Sequence, residues 1–360
     1  MMHGLLISIV FMCILITTSM AGESGSDKPK TPLFRIQTEG KFGYIDRNGI
    51  VKIAPKYEDA GTFHEGLAPV RTGKKWGFIS EDGKIAIEPK FALVQRFSEG
   101  LAAISYRGKE SSRCEYPLWG FIDKNGNEII PPQYKFVDYF SHGMAVVGPV
   151  EPDHAMEKHK PIHLNIGFFG YIDREGRRPF KNAFFTAYRF SEGVAAVGVP
   201  SESAPFSMVF IDKSGEVAIK PKVAMVETFN EGLAVIWTGK NKAGFMNHKG
   251  ELTITPKYEM AFSFREGLAP IKISGKWGFI DKNGNMAIEA KYNGAFRFSE
   301  GLAAVKYGNK WGYIDKDGNF RIQPIYDFFR KFSQGLAFVT IGNKRGYIDK
   351  SGKWIWKATQ

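Results

Sequence analysis

Apolar and polar residues alternate along this chain in short runs, the period of half-buried β-strands rather than of helices. The pattern is plainest at 298–315, FSEGLAAVKYGNKWGYID. GLAAVK predicts one strand, KWGYID a second, and the apolar run after each DKxG, such as 286–288, a third. Gly308-Asn309, Gly342-Asn343 and Gly73-Lys74 lie between the first two and suit two-residue hairpin turns of type II′ or I′. The second turn, as in Asp281–Gly284, suits a type I turn in which Asp281 accepts from its own backbone and Gly284 takes the left-handed conformation. With Gly308-Asn309 as the turn, Val305 falls opposite Gly312 and Ala303 opposite Ile314 on one face. That face is expected to pack closely on a neighbouring layer. On the other face Lys306 falls opposite Trp311, Lys272 opposite Trp277 and Arg71 opposite Trp76, which predicts a stripe of cations over indoles.

The unit repeats. Its first marker, the glycine of the WG pair, stands at 43, 77, 120, 170, 244, 278, 312 and 346, with Val209 in the same place of a degenerate ninth unit. Its second marker, the glycine of FSEGLA, stands at 66, 100, 143, 193, 232, 267, 301 and 335. From each first marker to the following second marker the distance is always 23 residues. From second to first it is 11 in the regular units, but 20, 27, 16 and 12 after Gly100, Gly143, Gly193 and Gly232. A fixed period of this kind predicts a stacked array. The expected fold is all-β, a tandem array of about nine three-stranded antiparallel meanders running from 33 to 360. An open, solenoid-like array is expected over a closed propeller, because propeller blades usually have four strands and no strand is left over here to close a ring.

Residues 5–16 are apolar but for Ser8, too short to span a bilayer comfortably, and Ser19-Met20-Ala21 follows as a cleavage site. Residues 1–21 therefore read as a signal peptide, with an uncleaved anchor as the alternative, and 22–32 as a polar leader. Export is the expected location (periplasmic, cell-surface or secreted), with no membrane span after signal removal. Beyond the leader one cysteine remains, Cys114, so stability must come from packing between units rather than from internal disulfides. The net charge is +12, with lysines at fixed phases such as Lys124, Lys213, Lys282, Lys316 and Lys350 after the turn aspartate. Such ladders keep edges soluble or offer a surface to an anionic partner.

Non-repeated chemistry is confined to the insertions. Three successive units carry 9, 16 and 5 extra residues at the same hairpin tip, and neighbouring tips are expected to form one patch. The patch would present Tyr106, Arg113 and Tyr116 from the first insertion and His154, His159 and His163 from the second. His159-x3-His163 has a zinc-like spacing, but no cysteine accompanies it and Pro161 interrupts it, so no metal is assigned. Asp315–Asn319 lacks the length and closing glutamate of a calcium loop. No GxSxG, Walker A, HExxH or nucleotide fingerprint occurs. The SEG glutamates recur once per unit, which points to structural acceptors of backbone amides rather than a catalytic pair. Neither an enzyme nor a cofactor is expected.

The unit WGYIDKDGNFRIQPIYD…FSQGLA resembles the WG-repeat, or KWG-repeat, family across nearly all of 33–360. The resemblance rests on the WG pairs at Trp76, Trp119, Trp277 and Trp311, the IDKxG turn and the FSEGLA run. It implies an exported bacterial protein with a binding role and transfers no catalytic residue. Phe42, Phe169, Met208, Ala243 and Arg345 replace the indole in five units, so a ligand needing it would find only some units competent. The expected function is a non-enzymatic scaffold that engages a protein or an anionic polymer. The candidate contacts are Trp76, Trp119, Trp277, Trp311, Arg71, Lys272, Lys306 and the tip patch. The alternative is cell-wall or carbohydrate binding through the aromatic–basic hairpins; export argues against nucleic acid.

Overall fold

Each hairpin forms in the register that alternation dictates. Ala303 pairs with Ile314, Val305 with Gly312 and Lys306 with Trp311, and Lys272–Trp277 and Arg71–Trp76 are likewise cross-strand pairs. Gly308 is left-handed at φ 59 and Asn309 is not, which makes that turn type II′. Ser274 and Gly275 are both left-handed and form a type I′ turn. At the second turn, the Asp281 carboxylate accepts from the amides of Asn283 and Asn285 at 2.9 and 2.8 Å. These bonds hold its pKa below the usual aspartate value, the Asn285 amide first.

The glycine at the WG position is required by its own sheet in every blade that has one except blade 4, not by a neighbouring layer as expected. A Cβ on Gly312 would lie 2.6 Å from the Ile322 carbonyl oxygen and 2.8 Å from the Pro324 nitrogen. The third strand bulges across that spot, with the register shifting between Trp311 and Tyr313. Where Val209 replaces the glycine, the third strand shrinks to Val217–Ile219.

The computed structural model describes residues 32–106, 117–151, 167–202, 204–239 and 242–358. Among them the chain forms nine antiparallel sheets, seven of them four-stranded. We number these blades 1–9, at 34–57, 59–91, 93–134, 136–172, 186–219, 225–258, 260–292, 294–326 and 328–357. The expected three-stranded unit is corrected by an additional first strand, in most blades only two residues long, such as Gly294–Ala295 beside the Ala303–Tyr307 strand. A strand that short has no alternation to detect. Blade 1 lacks this strand, and blade 4 lacks the outermost one.

The open array is also corrected: the blades close into a nine-bladed propeller. Closure uses side chains instead of an exchanged strand. Phe34, Ile36 and Ile45 of blade 1 pack with Leu336, Tyr347, Ile355 and Trp356 of blade 9. The Tyr347 hydroxyl donates to the Arg35 carbonyl at 2.9 Å, and Arg47 Nε donates to the Gln334 carbonyl at 3.0 Å. Both faces of each sheet are consequently buried. Ala303, Val305 and Ile314 pack on blade 7, while Ala304, Tyr313 and Tyr326 pack on blade 9. A lone meander would leave these faces in water, so each blade is stable only against its neighbours. Among the described residues no helix is long and apolar enough to cross a membrane.

Candidate functional site

The SEG turn builds the blade junctions. Glu266 and Gly267 are both left-handed, φ 56 and 86, forming a type I′ turn between Arg265 and Leu268. Asn-Gly is the usual choice there, because a glutamate in this region carries strain. The strain places the carboxylate. Glu266 Oε2 accepts from the Gly301 amide of blade 8 at 3.0 Å and pairs with Lys316 of the same blade at 3.7 Å. The arrangement recurs at six junctions among the described residues. Glu65, Glu99, Glu192, Glu231, Glu266 and Glu300 each accept from the next blade's SEG glycine at 2.8–3.0 Å. Each also meets that blade's Lys124, Arg174, His248, Lys282, Lys316 or Lys350 at 2.9–3.7 Å. A hydrogen bond to a charged group contributes about 1.5–3 kcal/mol, more than the exposed ion pair beside it. The serine before the glutamate adds a second tie: Ser299 Oγ donates to the Phe332 carbonyl of blade 9 at 2.8 Å.

Three junctions depart from this scheme. Between blades 1 and 2 the sequence has Thr31, outside the described residues, at the place of the glutamate, and Glu81 at the place of the cation. At closure Pro32 stands where other blades have the SEG glycine; it has no amide hydrogen to donate, and Gln334 replaces the glutamate. Between blades 4 and 5 the glutamate is replaced by His142, while Gly193 and Lys213 remain.

The segments running from the short first strands to the SEG turns line a central cavity of about 1510 Å³. Arg35, Arg96, Lys124, Arg174, Lys213, Arg265, Arg297, Arg330, Lys331 and Arg345 line it, against two acids, Glu65 and Glu99, both engaged in junctions. One wall carries Tyr139, with the Arg96 and Arg189 guanidiniums of the flanking blades 4.3 and 4.0 Å from its ring centroid. Arg189 also pairs with Asp138 at 3.3 Å. Burial raises the Asp138 pKa against the opposing pull of Arg189 and Arg96. Lys331 also lines the cavity, and its pKa is pushed down to about 8 by burial and then by the guanidiniums of Arg265, Arg297 and Arg96. Glu227 is pushed up to about 7 by burial, opposed by Arg297. His64 is pushed down to about 4 by burial and then by Arg96.

Sequence reasoning missed this lining, although a signal existed. The position before each buried SEG-run phenylalanine reads Thr62, Arg96, Tyr139, Arg189, Thr228, Ser263, Arg297 and Lys331. Variation at a fixed phase beside an unchanging packing residue marks a position facing something other than the core.

The expected indole stripe lies between blades. Trp277 is 8% exposed and stacks on Phe262, with centroids 5.2 Å apart. Trp311 packs on Phe329 of blade 9 at 4.3 Å, and Trp76 and Trp119 are half-buried against core clusters. Arg71 and Lys306 lie 5.9 and 6.0 Å from their indoles, at the limit of a cation–π contact. Lys272 pairs instead with Glu259 at 4.0 Å. Tyr106 is 38% exposed and packs on Phe91. Arg113, Tyr116, His154, His159 and His163 lie outside the described residues, as do Cys114 and the signal peptide. Among the described residues no group of three metal-ligating side chains comes together.

A family model described as a WG containing repeat matches residues 42–76, 76–109, 119–148, 210–236, 244–277, 277–311 and 311–344. Comparison with curated proteins returned no match. Among solved structures, one described as the crystal structure of the eukaryotic initiation factor is similar at a TM-score of 0.61 and 12% identity. It covers 91% of this chain and 96% of that one. BamB from Moraxella catarrhalis reaches a TM-score of 0.38 at 12% identity, covering 83% of this chain and 98% of that one. Apo AztD from Citrobacter koseri also reaches 0.38, at 11% identity and with 81% and 93% covered. At these identities the likeness concerns the fold alone.

Proposed function

The chain belongs to the family of WG-containing repeat proteins, and we propose that it is a non-enzymatic scaffold of the exported compartment that docks a protein or an anionic polymer. Export is supported by the apolar run and cleavage site within residues 1–21. The observation that carries the docking role is the placement of the three insertions. They leave adjacent blades 3, 4 and 5 at the hairpin between second and third strands, from Tyr106 and Pro117, from Glu151 and Gly167, and from 199–207. The described strand ends they leave from are at the far end of the same strands from the SEG turns, so the three insertions are rooted on one face of the ring. The repeated glutamates and indoles are occupied in holding blades together, which leaves the tips as the surface available to a partner.

Affinity capture from the native envelope tests this reading. The full chain is compared with a form whose three long tips are cut to the regular two-residue turn. The trimmed ring is expected to melt within a few degrees of the full chain and to lose its partner. Equal capture by both forms would contradict the proposal.

A further inference from the structure

Every part of the blade 4–blade 5 junction is built as at the filled junctions, save one. His142 is left-handed at φ 56, the same value as Glu266, and Gly193 at φ 87 matches Gly301 at φ 84. Ala195 pairs with Ile211 as Ala303 pairs with Ile314. Gly193 and Lys213 lie two residues beyond that pair, as Gly301 and Lys316 do in blade 8. The turn carrying Lys213 is set by Asp212, which accepts from the Ser214 and Glu216 amides. The backbone therefore sets the Gly193 amide and the Lys213 side chain at the places of Gly301 and Lys316, but residue 142 brings an imidazole. Among the described residues Lys213 has no acidic partner, whereas the cations at the same place in blades 3, 4, 6, 7, 8 and 9 all have one.

We propose that this junction is an oxyanion-binding site. The Gly193 amide and the Lys213 ammonium receive from an outside ligand the negatively charged oxygen that the chain itself supplies at six other junctions. At each of the other two junctions without a glutamate, half of the donor pair is missing as well: Pro32 has no amide hydrogen to donate at closure, and Glu81 replaces the cation between blades 1 and 2. His142 and Lys213 line the central cavity, as do Arg174, Arg96 and Lys331. A ligand with several oxyanion groups, such as a polycarboxylate or an oligophosphate, would reach these cations from the same anchor. This site is on the SEG face, opposite the hairpin tips, and does not depend on partner docking there.

The test uses the full chain with citrate and tripolyphosphate as probes, by calorimetry and thermal melting at low ionic strength. At least one probe is expected to bind one per chain and to raise the melting temperature. His142→Glu places the carboxylate from within. It is expected to melt above the unaltered protein without ligand and to bind the probe at least tenfold more weakly. Lys213→Met, an exposed change, is expected to weaken binding to a similar degree without raising the melting temperature; it decides the matter if His142→Glu does not fold. Binding of citrate alone assigns a carboxylate ligand, and of tripolyphosphate alone a phosphate one. Failure of both probes, or binding unchanged in both variants, would overturn the proposal.

Discussion

Blades 6–9 and blades 3–5 are made from the same unit and have been put to different uses. In blades 6–9 the spacing is regular or nearly so, all four strands form, and each SEG glutamate ties one blade to the next. In blades 3–5 the hairpin tips are enlarged, blade 4 has lost its outermost strand, blade 5 keeps three residues of its own, and one junction has no carboxylate. The regular arc thus spends its polar groups on neighbours, while the irregular arc leaves some for a ligand. Stability in a ring of this kind is a sum over junctions, so one arc tolerates departures that would unfold a single meander.

The comparison is broken most severely at the WG glycine. In the regular arc Gly278→Ala would set a Cβ 2.6 Å from the Ile288 carbonyl oxygen and 2.8 Å from the Ala290 nitrogen. Both are backbone atoms, so the outermost strand must move, at an expected cost of at least about 3 kcal/mol in chemical denaturation. In blade 4, Gly170→Ala meets side-chain ends instead, Val150 Cγ1 at 3.0 Å and Arg178 Nη2 at 3.4 Å. Its expected cost is about 1 kcal/mol or less. Equal costs would mean that the outer strand of blade 7 does not bulge over its glycine.

Junction variants come next in size. Glu266→Ala removes the acceptor of the Gly301 amide and the partner of Lys316, and is expected to cost about 1.5–3 kcal/mol. Glu266→Asn separates the turn from the tie, since asparagine suits the left-handed position but falls short of Gly301. A melting temperature at or above that of the unaltered protein would show that turn strain, not the tie between blades, governs this position.

A smaller effect depends on pH. The folded-state pKa of Glu227 is raised to about 7 by burial, so folding retains a proton that the unfolded chain releases near the ordinary glutamate value of 4.5. Stability contributed by this group is present below 4.5, falls as pH rises from there to 7, and is constant above. Glu227→Gln should therefore melt higher than the unaltered protein at pH 8 and match it near pH 4.5; Arg297, its charged neighbour, limits the gain. The same difference at both pH values would exclude burial of Glu227 as the cause. The smallest effect is expected from Tyr139→Phe. The hydroxyl is buried and makes no hydrogen bond among the described residues, so its loss should leave the melting temperature unchanged or slightly higher. A large drop would mean that the ring is not held by the Arg96 and Arg189 guanidiniums alone.

The strand registers and both turns were legible because each depends on neighbours close in sequence. Lys306 opposite Trp311 follows from Gly308-Asn309, and the Asp281 turn from four residues. The ring was not legible, since closure depends on the small rotation between successive blades summed nine times, which no local pattern records. Pairs such as Gly294–Ala295 are too short to show a period. The indoles misled because alternation says which side chains share a face but not whether a second sheet covers it; Trp277 and Trp311 face the next blade. The cavity cations, Arg96 and Lys331 among them, were hidden beside buried phenylalanines, where polar residues read as ordinary loop.

The SEG glycine amides report on the junctions one by one, and their hydrogen exchange is the most direct measurement. The amides of Gly100, Gly143, Gly232, Gly267, Gly301 and Gly335, each held by a carboxylate at 2.8–3.0 Å, should exchange slowly. The Gly193 amide should exchange much faster and become protected when the bound oxyanion is present. Gly193 protected to the same degree as the other six without ligand would contradict the account.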